Sequence, residues 1–213
     1  MRLAILASGN GTTAEAIMFA CREGCLKGKV EVACVIASDP CAGVIAKAHE
    51  FLPTSQIYLI ELRKYYFLQE KFGRALIATF KKHNVDMFGQ YGWMPHTPWN
   101  VLQEFSGINQ HPGDPVRFGG KGMFGKRVHC ARLHFVLCTG HHIYTEAVAQ
   151  EVAAQYDAGD VLCAEQVPIF DEELVGSLEK ATASLQKRVL PVEHRVQIQT
   201  LEMLSQGQRP VVS

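Results

Sequence analysis

Hydrophobic positions in the first half of the chain come in two textures: short unbroken apolar runs, and longer segments striped at helical spacing. Arg2–Ser8 is a run ending in small residues, which suits a parallel strand buried on both faces. Gly9-Asn10-Gly11-Thr12-Thr13 follows, and Ala14–Cys25 then has helical composition. Val30–Ser38 predicts a second strand closed by Asp39-Pro40, Ala42–Glu50 a helix, and Gln56–Ile60 a third strand. Tyr65–His83 carries a helical stripe through Phe67, Phe72, Leu76, Ile77 and Phe80. Val85–Tyr91 reads as a fourth strand and Gly107–Asn109 as a short fifth.

The second half has a different texture. Phe118–Gly125 is glycine-dense, and Lys126–Cys138 looks helical. Glu146–Val152 and Val161–Ile169 predict two strands, antiparallel and joined by Ala153–Asp160. Asp171–Leu204 reads as a long helical region interrupted at Pro191, because proline removes a helical hydrogen bond. Strands alternating with helices predict an α/β fold, with a mostly parallel sheet covered on both faces and an antiparallel pair near the C-terminus. Ligands in such sheets sit beyond the carboxyl ends of the strands. Those ends carry Ser8–Thr13, Tyr91–Thr97 and Asn109–Pro112. With no repeat or low-complexity linker, residues 1–213 read as one domain, its halves meeting near residue 108.

Composition narrows the partners. The 21 Lys and Arg residues balance the 21 Asp and Glu residues, so no net field favours nucleic acid. No run approaches the ~18–20 apolar residues of a membrane span, and the opening run is too short for a signal segment. Seven cysteines without a CxxC pair suit a reducing, cytoplasmic setting. His141-His142 point to opposite faces of an extended segment and no further ligands complete a tetrahedral set, so no metal is expected. Small-molecule substrates are the expected partners, with a homodimer left open.

Two constellations carry candidate chemistry. Gly9-Asn10-Gly11-Thr12-Thr13-Ala14 fits G-x-G-x-x-A, where a close backbone approach and free helix N–H groups favour an anion such as phosphate. The same spacing leaves open a dinucleotide site with Asp39 as ribose partner, or a bare turn. Asn109 and His111 lie two residues apart at a strand end, hence on one face, and Pro112 stops the strand.

Asn-x-His-Pro at a strand end, with a later Asp-x-Gly, resembles the formyltransferase family that uses 10-formyltetrahydrofolate, and within it the glycinamide ribonucleotide transformylases. Arg2–Ala16, Val85–Met94 with Gly92-Trp93-Met94, Asn109–Pro112 and Val148–Phe170 with Tyr156-Asp157-Ala158-Gly159 carry the likeness. It implies a Rossmann-like formyltransferase fold and formyl transfer to a primary amine. Asn109 and protonated His111 would donate hydrogen bonds to the formyl oxygen. Asp157 would stabilise the charged imidazole and ferry the proton. The folate would lie against Met94, Pro95, His96 and Thr97 and against Ala153, Ala154, Gln155 and Tyr156. Gly11, Thr12 and Thr13 would hold the acceptor's phosphate, and Gln186 falls where the family has an acceptor-binding glutamate.

The chain departs from that pattern in three places. His-Pro continues into Gly113-Asp114-Pro115, and the segment from His111 to Asp157 is longer than the family's. Gln69 stands where the family has an arginine, with Arg63, Lys64 or Arg74 as candidate substitutes. Gln186 stands where the family has its glutamate. Alternative readings are a hydrolytic deformylase of the same folate, an amino-sugar formyltransferase, a catalytically silent ligand-binding protein of this fold, and a dinucleotide-dependent oxidoreductase.

Overall fold

The computed structural model describes residues 1–66, 68–141 and 143–209. Phe67 and His142, both singled out in the sequence, lie outside the described residues. The elements run β1 (Arg2–Ala7), α1 (Thr12–Glu23), β2 (Glu31–Ala37), α2 (Val44–Ala48), β3 (Ile57–Leu59), α3 (Gln69–Lys82), β4 (Met87–Gln90), α4 (Trp99–Leu102), β5 (Ser106–His111), α5 (Pro115–Phe118), α6 (Lys126–Thr139), β6 (Tyr144–Glu151), β7 (Val161–Pro168) and α7 (Leu178–Ser205). The strands form one sheet in the order β3-β2-β1-β4-β5-β6-β7. β1 to β5 pair in parallel, while β6 is antiparallel to both β5 and β7. This is the Rossmann-like arrangement expected.

Alternation along β1 divides the core. Leu3, Ile5 and Ala7 join one buried cluster with Ile17, Val44 and Leu201, so α1, α2 and α7 cover that face. Ala4 and Leu6 turn to the other face and meet Phe72, Leu76 and Phe80 of α3 with Phe88 of β4. A third cluster seats α6 and α7 on β6 and β7 through Leu133, Ala149, Leu185 and Val189. Among the described residues, no helix is long and apolar enough to cross a membrane.

Several boundaries differ from expectation, among them the start of the last helix, at Leu178 and not Asp171, and three have a clear physical cause. α3 starts at Gln69, not Tyr65, because Tyr66 adopts a left-handed φ of 52° and Leu68 is extended, which breaks the helical run. β5 continues to His111 because β6 pairs along it as far as His111↔Val148. Pro191 does not interrupt α7, which runs unbroken from Leu178 to Ser205. Pro191 and Lys187, the residue four back whose hydrogen bond it forfeits, are both exposed. Buried Val189 and Val196 hold the helix on either side of it.

Candidate active site

The carboxyl ends of β1, β4 and β5 open into one cavity of about 570 Å³, within the range typical of small-ligand sites. The turn after β1 forms its first wall. Gly11 takes φ 71°, and a Cβ there would fall 2.6 Å from that of Val44. Only glycine allows that approach of α2. Gly11 caps α1 without a side-chain hydrogen bond, so the helix's first N–H groups are free to meet an anion. Gly11, Thr12 and Thr13 all line the cavity. Asp39 does not. Its Oδ1 accepts from the Cys41 N–H at 2.8 Å, a local turn on the surface.

The segment after β4 forms the second wall. Ser8 Oγ accepts from the Met94 N–H at 2.8 Å, while the Ser8 N–H donates to the Gly92 carbonyl at 3.0 Å, tying the first turn to the second. Gln90 Nε2 donates to Thr97 Oγ1 in the buried interior. Met94, Pro95, His96 and Thr97 line the cavity, as do Ala153, Gln155 and Tyr156 opposite. Ala154 lies behind that lining, its carbonyl 2.9 Å from His96 Nε2. Trp93 is mostly a core residue, 8% exposed and stacked on Phe72.

Asn109, His111 and Asp157 meet at the centre. Asn109 Nδ2 donates to Asp157 Oδ1 at 3.3 Å, and His111 Nε2 lies 3.6 Å from Oδ2. His111 Nδ1 sits 2.9 Å from the Gly113 carbonyl. A carbonyl only accepts, so Nδ1 carries the proton. Nε2, facing the cavity and Asp157, has no hydrogen-bond partner among the described residues.

Asp157 itself is held from two sides that sequence reasoning missed. Gln150 Nε2, across from Asn109 on β6, donates to Oδ1 at 2.8 Å. The Gly120 N–H donates to Oδ2, also at 2.8 Å, so the glycine-dense segment reaches the centre. Gly119 must be glycine because a Cβ would fall 2.1 Å from the Pro115 carbonyl and 2.8 Å from Asp157 Cβ. Asp157 is left-handed at φ 54°, a conformation aspartate tolerates better than most residues.

Two further titrating residues line the cavity without having been singled out. His129 on α6 is fully buried, with neither ring nitrogen partnered among the described residues. Burial first, then the charge of His111, holds its pKa down to about 4. Glu193 on α7 accepts from Gln110 Nε2 at 2.7 Å. Burial pushes its carboxyl up to about 7 against that hydrogen bond. Each occupies a buried position within a helix whose other buried residues are largely apolar, as with Leu133 and Val136 on α6 and Val189 and Val196 on α7. A polar residue at such a position was the signal available in the sequence.

Gln186 lines the cavity, whereas Gln69 is exposed at the start of α3, outside its lining. The candidate substitutes for the missing arginine are also outside it. Arg63 and Lys64 pair with Glu61, and Arg74 with Glu70. Among the described residues no cluster of three or more His, Cys, Asp or Glu could hold a metal ion.

Comparison with known proteins gives a consistent set. The Formyl transferase family model matches residues 1–193. A phosphoribosylglycinamide formyltransferase of Schizosaccharomyces pombe is 26% identical over 211 residues, covering 95% of this chain and 96% of its own. A chloroplastic phosphoribosylglycinamide formyltransferase of Vigna unguiculata is 28% identical over 208 residues, 95% of this chain but 60% of its own length. The chain thus spans less than two thirds of that plant relative. Among solved structures, phosphoribosylglycinamide formyltransferase from Bacillus halodurans superposes with TM-score 0.74 at 27% identity, covering 96% of this chain and 95% of its own. Glycinamide ribonucleotide transformylase 1 from Symbiobacterium toebii shares the fold, with TM-score 0.79 at 23% identity over 99% of this chain and 92% of its own.

Proposed function

This chain belongs to the formyl transferase family, and from that premise we propose that it transfers a formyl group from 10-formyltetrahydrofolate to a primary amine, with glycinamide ribonucleotide as the acceptor. The observation that supports this reading is the convergence of Asn109, His111 and Asp157 on one cavity that also reaches the free N–H groups of α1. A phosphorylated amine has a place for each end there. The names of the relatives support the choice of acceptor.

The folate, held between Met94–Thr97 and Ala153–Tyr156, supplies an activated formyl carbon. Asn109 Nδ2 and a protonated His111 Nε2 donate to the formyl oxygen as negative charge develops on it, which is where preorganised donors lower a barrier most. The Gly113 carbonyl orients the ring by accepting from Nδ1. Asp157, fixed by Gln150 and the Gly120 N–H, takes up the proton released as the amine bonds to the formyl carbon and passes it to the folate nitrogen N10, whose bond to that carbon breaks to release tetrahydrofolate. Cysteine usage supports a reducing, cytoplasmic setting.

Absorbance-monitored turnover of 10-formyltetrahydrofolate, with and without glycinamide ribonucleotide, tests the proposal beside an Asp157→Asn control. Acceptor-dependent release of tetrahydrofolate, lost in the control, is the expected result. Release without acceptor would replace transfer by hydrolysis. Folate binding without turnover would redirect the search to other amines, such as amino sugars, and no folate binding would overturn the reading.

A further inference from the structure

The chain leaves His111 through Pro112-Gly113-Asp114-Pro115, a sequence suited to starting a helix. Asp114 stands at the N-cap of α5, where its Oδ1 accepts from the Val116 N–H at 2.8 Å and the Arg117 N–H at 3.4 Å. Pro115 follows at the first helical position, with its φ preset for the turn. The turn ends at Phe118, and Gly119-Gly120 carries the chain on to Asp157. Contacts that fix the reacting pair therefore come from both ends of α5. The Gly113 carbonyl, just before it, accepts from His111 Nδ1, and the Gly120 N–H, just after it, donates to Asp157 Oδ2. A single turn of helix, about 6 Å long at 1.5 Å per residue, sets one group against the other.

α6 holds this spacer. Arg132 is buried, and its guanidinium lies 5.3 Å from the ring centre of Phe118, the last residue of α5. The same group lies 5.5 Å from the ring centre of Phe135 and 5.2 Å from that of Tyr144. A cation within about 6 Å of an aromatic face is attracted to it, most strongly where water is excluded. Arg132 Nε also donates to the Tyr144 carbonyl at 2.6 Å, which ties the guanidinium to the start of β6. Phe118 is itself buried and edge-on to Phe135. Asp114 and Arg132 face one small cleft with Arg117, Tyr144 and Glu146, so the cap and the aromatic cage form a single assembly.

We propose that Arg132 and Asp114 are positioning residues for formyl transfer: they hold α5 in place, and α5 aligns the His111 ring with the Asp157 carboxylate. The inference rests on the formyl-transfer reading for the reaction, though not for the geometry. Neither residue lines the cavity, so both act through α5 and not by touching substrate. A fastening role alone fits less well. An apolar side chain at 132 would pack among three rings without burying a charge. A guanidinium is planar and directional, and the carbonyl and rings around it fix where Phe118, and with it α5, can sit. The departure from the family pattern after His-Pro also gains a purpose, since Gly113-Asp114-Pro115 supplies the cap that the turn needs.

Two readouts test this, one of them independent of turnover. Which nitrogen of neutral His111 carries the proton is set by the hydrogen bond to the Gly113 carbonyl, so nitrogen-15 NMR of the wild-type ring should show the Nδ1–H form. In Asp114→Ala and Arg132→Met the ratio of Nδ1–H to Nε2–H should fall about ten-fold, the worth of one hydrogen bond. Formyl transfer by both variants should show kcat about ten-fold lower, with KM for donor and acceptor within about two-fold. Asp114→Asn caps a helix equally well and should restore both readouts to within about two-fold. Asp114 is partly exposed, so Asp114→Ala decides the question should Arg132→Met not fold. An Nε2–H wild type, or folded variants of an active wild type in which either readout keeps its wild-type value, would overturn the inference. If the wild type transfers no formyl group, a tautomer shift in the variants would sink the formyl reading and leave the geometry proposed here standing.

Discussion

The sheet is built differently on the two sides of β4. β1, β2 and α3 bury Leu, Ile, Val and Phe, with Leu3, Ile5, Phe72 and Phe80 wholly enclosed. Around β5, β6, α6 and α7 the buried set includes His111, His129, Gln150, Glu193 and Gln197. Burying polar groups is unfavourable unless they find partners, and among the described residues several atoms of this set have none: Nε2 of His111, both nitrogens of His129 and an oxygen each of Gln150 and Gln197. The apolar side holds the fold and positions a turn. The polar side gives up some stability: His111, His129, Gln150 and Glu193 line the cavity, while Gln197 ties α7 to the Val148 carbonyl of β6.

The largest effect expected on stability lies in the apolar side. Phe88 is fully buried and stacks on Phe80, so Phe88→Ala should lower unfolding free energy by about 3–5 kcal/mol in urea titration. The KM values of the remaining folded protein should be unchanged. An equally large shift in KM would erase the division between the two sides.

The polar side should instead show itself through pH. His129 is held down to about 4 from an ordinary 6.5. The unfolded chain therefore takes up a proton that the fold does not, and stability falls as pH drops from 6.5 to 4. Glu193 is pushed up to about 7 from 4.5. The fold keeps a proton that the unfolded chain releases, and stability falls as pH rises from 4.5 to 7. The two slopes oppose each other between 4.5 and 6.5. Relative to wild type, Glu193→Gln should gain about 3 kcal/mol as pH rises across its window, and His129→Gln should lose about 3 kcal/mol as pH rises across its own. Thermal or urea unfolding at several pH values reads both. Parallel curves for variant and wild type would mean that these groups titrate as they do in water.

Smaller effects sharpen the boundary of the site. Gln150→Ala removes one of the hydrogen bonds that fix Asp157 and should lower kcat by about ten-fold, with KM little changed. Gln69→Arg restores the family's side chain at an exposed position outside the cavity. It should change kcat/KM by less than about two-fold; a larger gain would mean that α3 reaches the acceptor.

Much of this organisation was legible from the chain itself, for identifiable reasons. β1, β2, α6, β6 and β7 were close to their observed bounds because unbroken apolar runs and clean helical composition leave few alternatives. α3 was predicted too long because the left-handed turn at Tyr66 has no compositional mark. The interruption expected at Pro191 failed because a proline on a solvent face forfeits one hydrogen bond while both flanks stay packed. At the site, spacing alone placed Asn109 and His111 on one face. Asp157 came from the family resemblance, since only the fold brings residues 109 and 157 together. Gln150, Gly120 and Gln110 went unread because their roles come from tertiary convergence, whereas His129 and Glu193 left only the mark of a polar residue at a buried helix position. The dinucleotide alternative loses its support at Asp39, which caps a surface turn away from the cavity.

The central claim is that the end of β5 and the turn at Asp157 form one formyl-transfer centre. A rapid-quench single turnover with 10-formyltetrahydrofolate and glycinamide ribonucleotide, comparing His111→Ala with wild type, tests it most directly. The account predicts a first-order rate at least about 100-fold lower, with the cooperative unfolding transition retained. A folded His111→Ala protein that transfers formyl at the wild-type rate would contradict it.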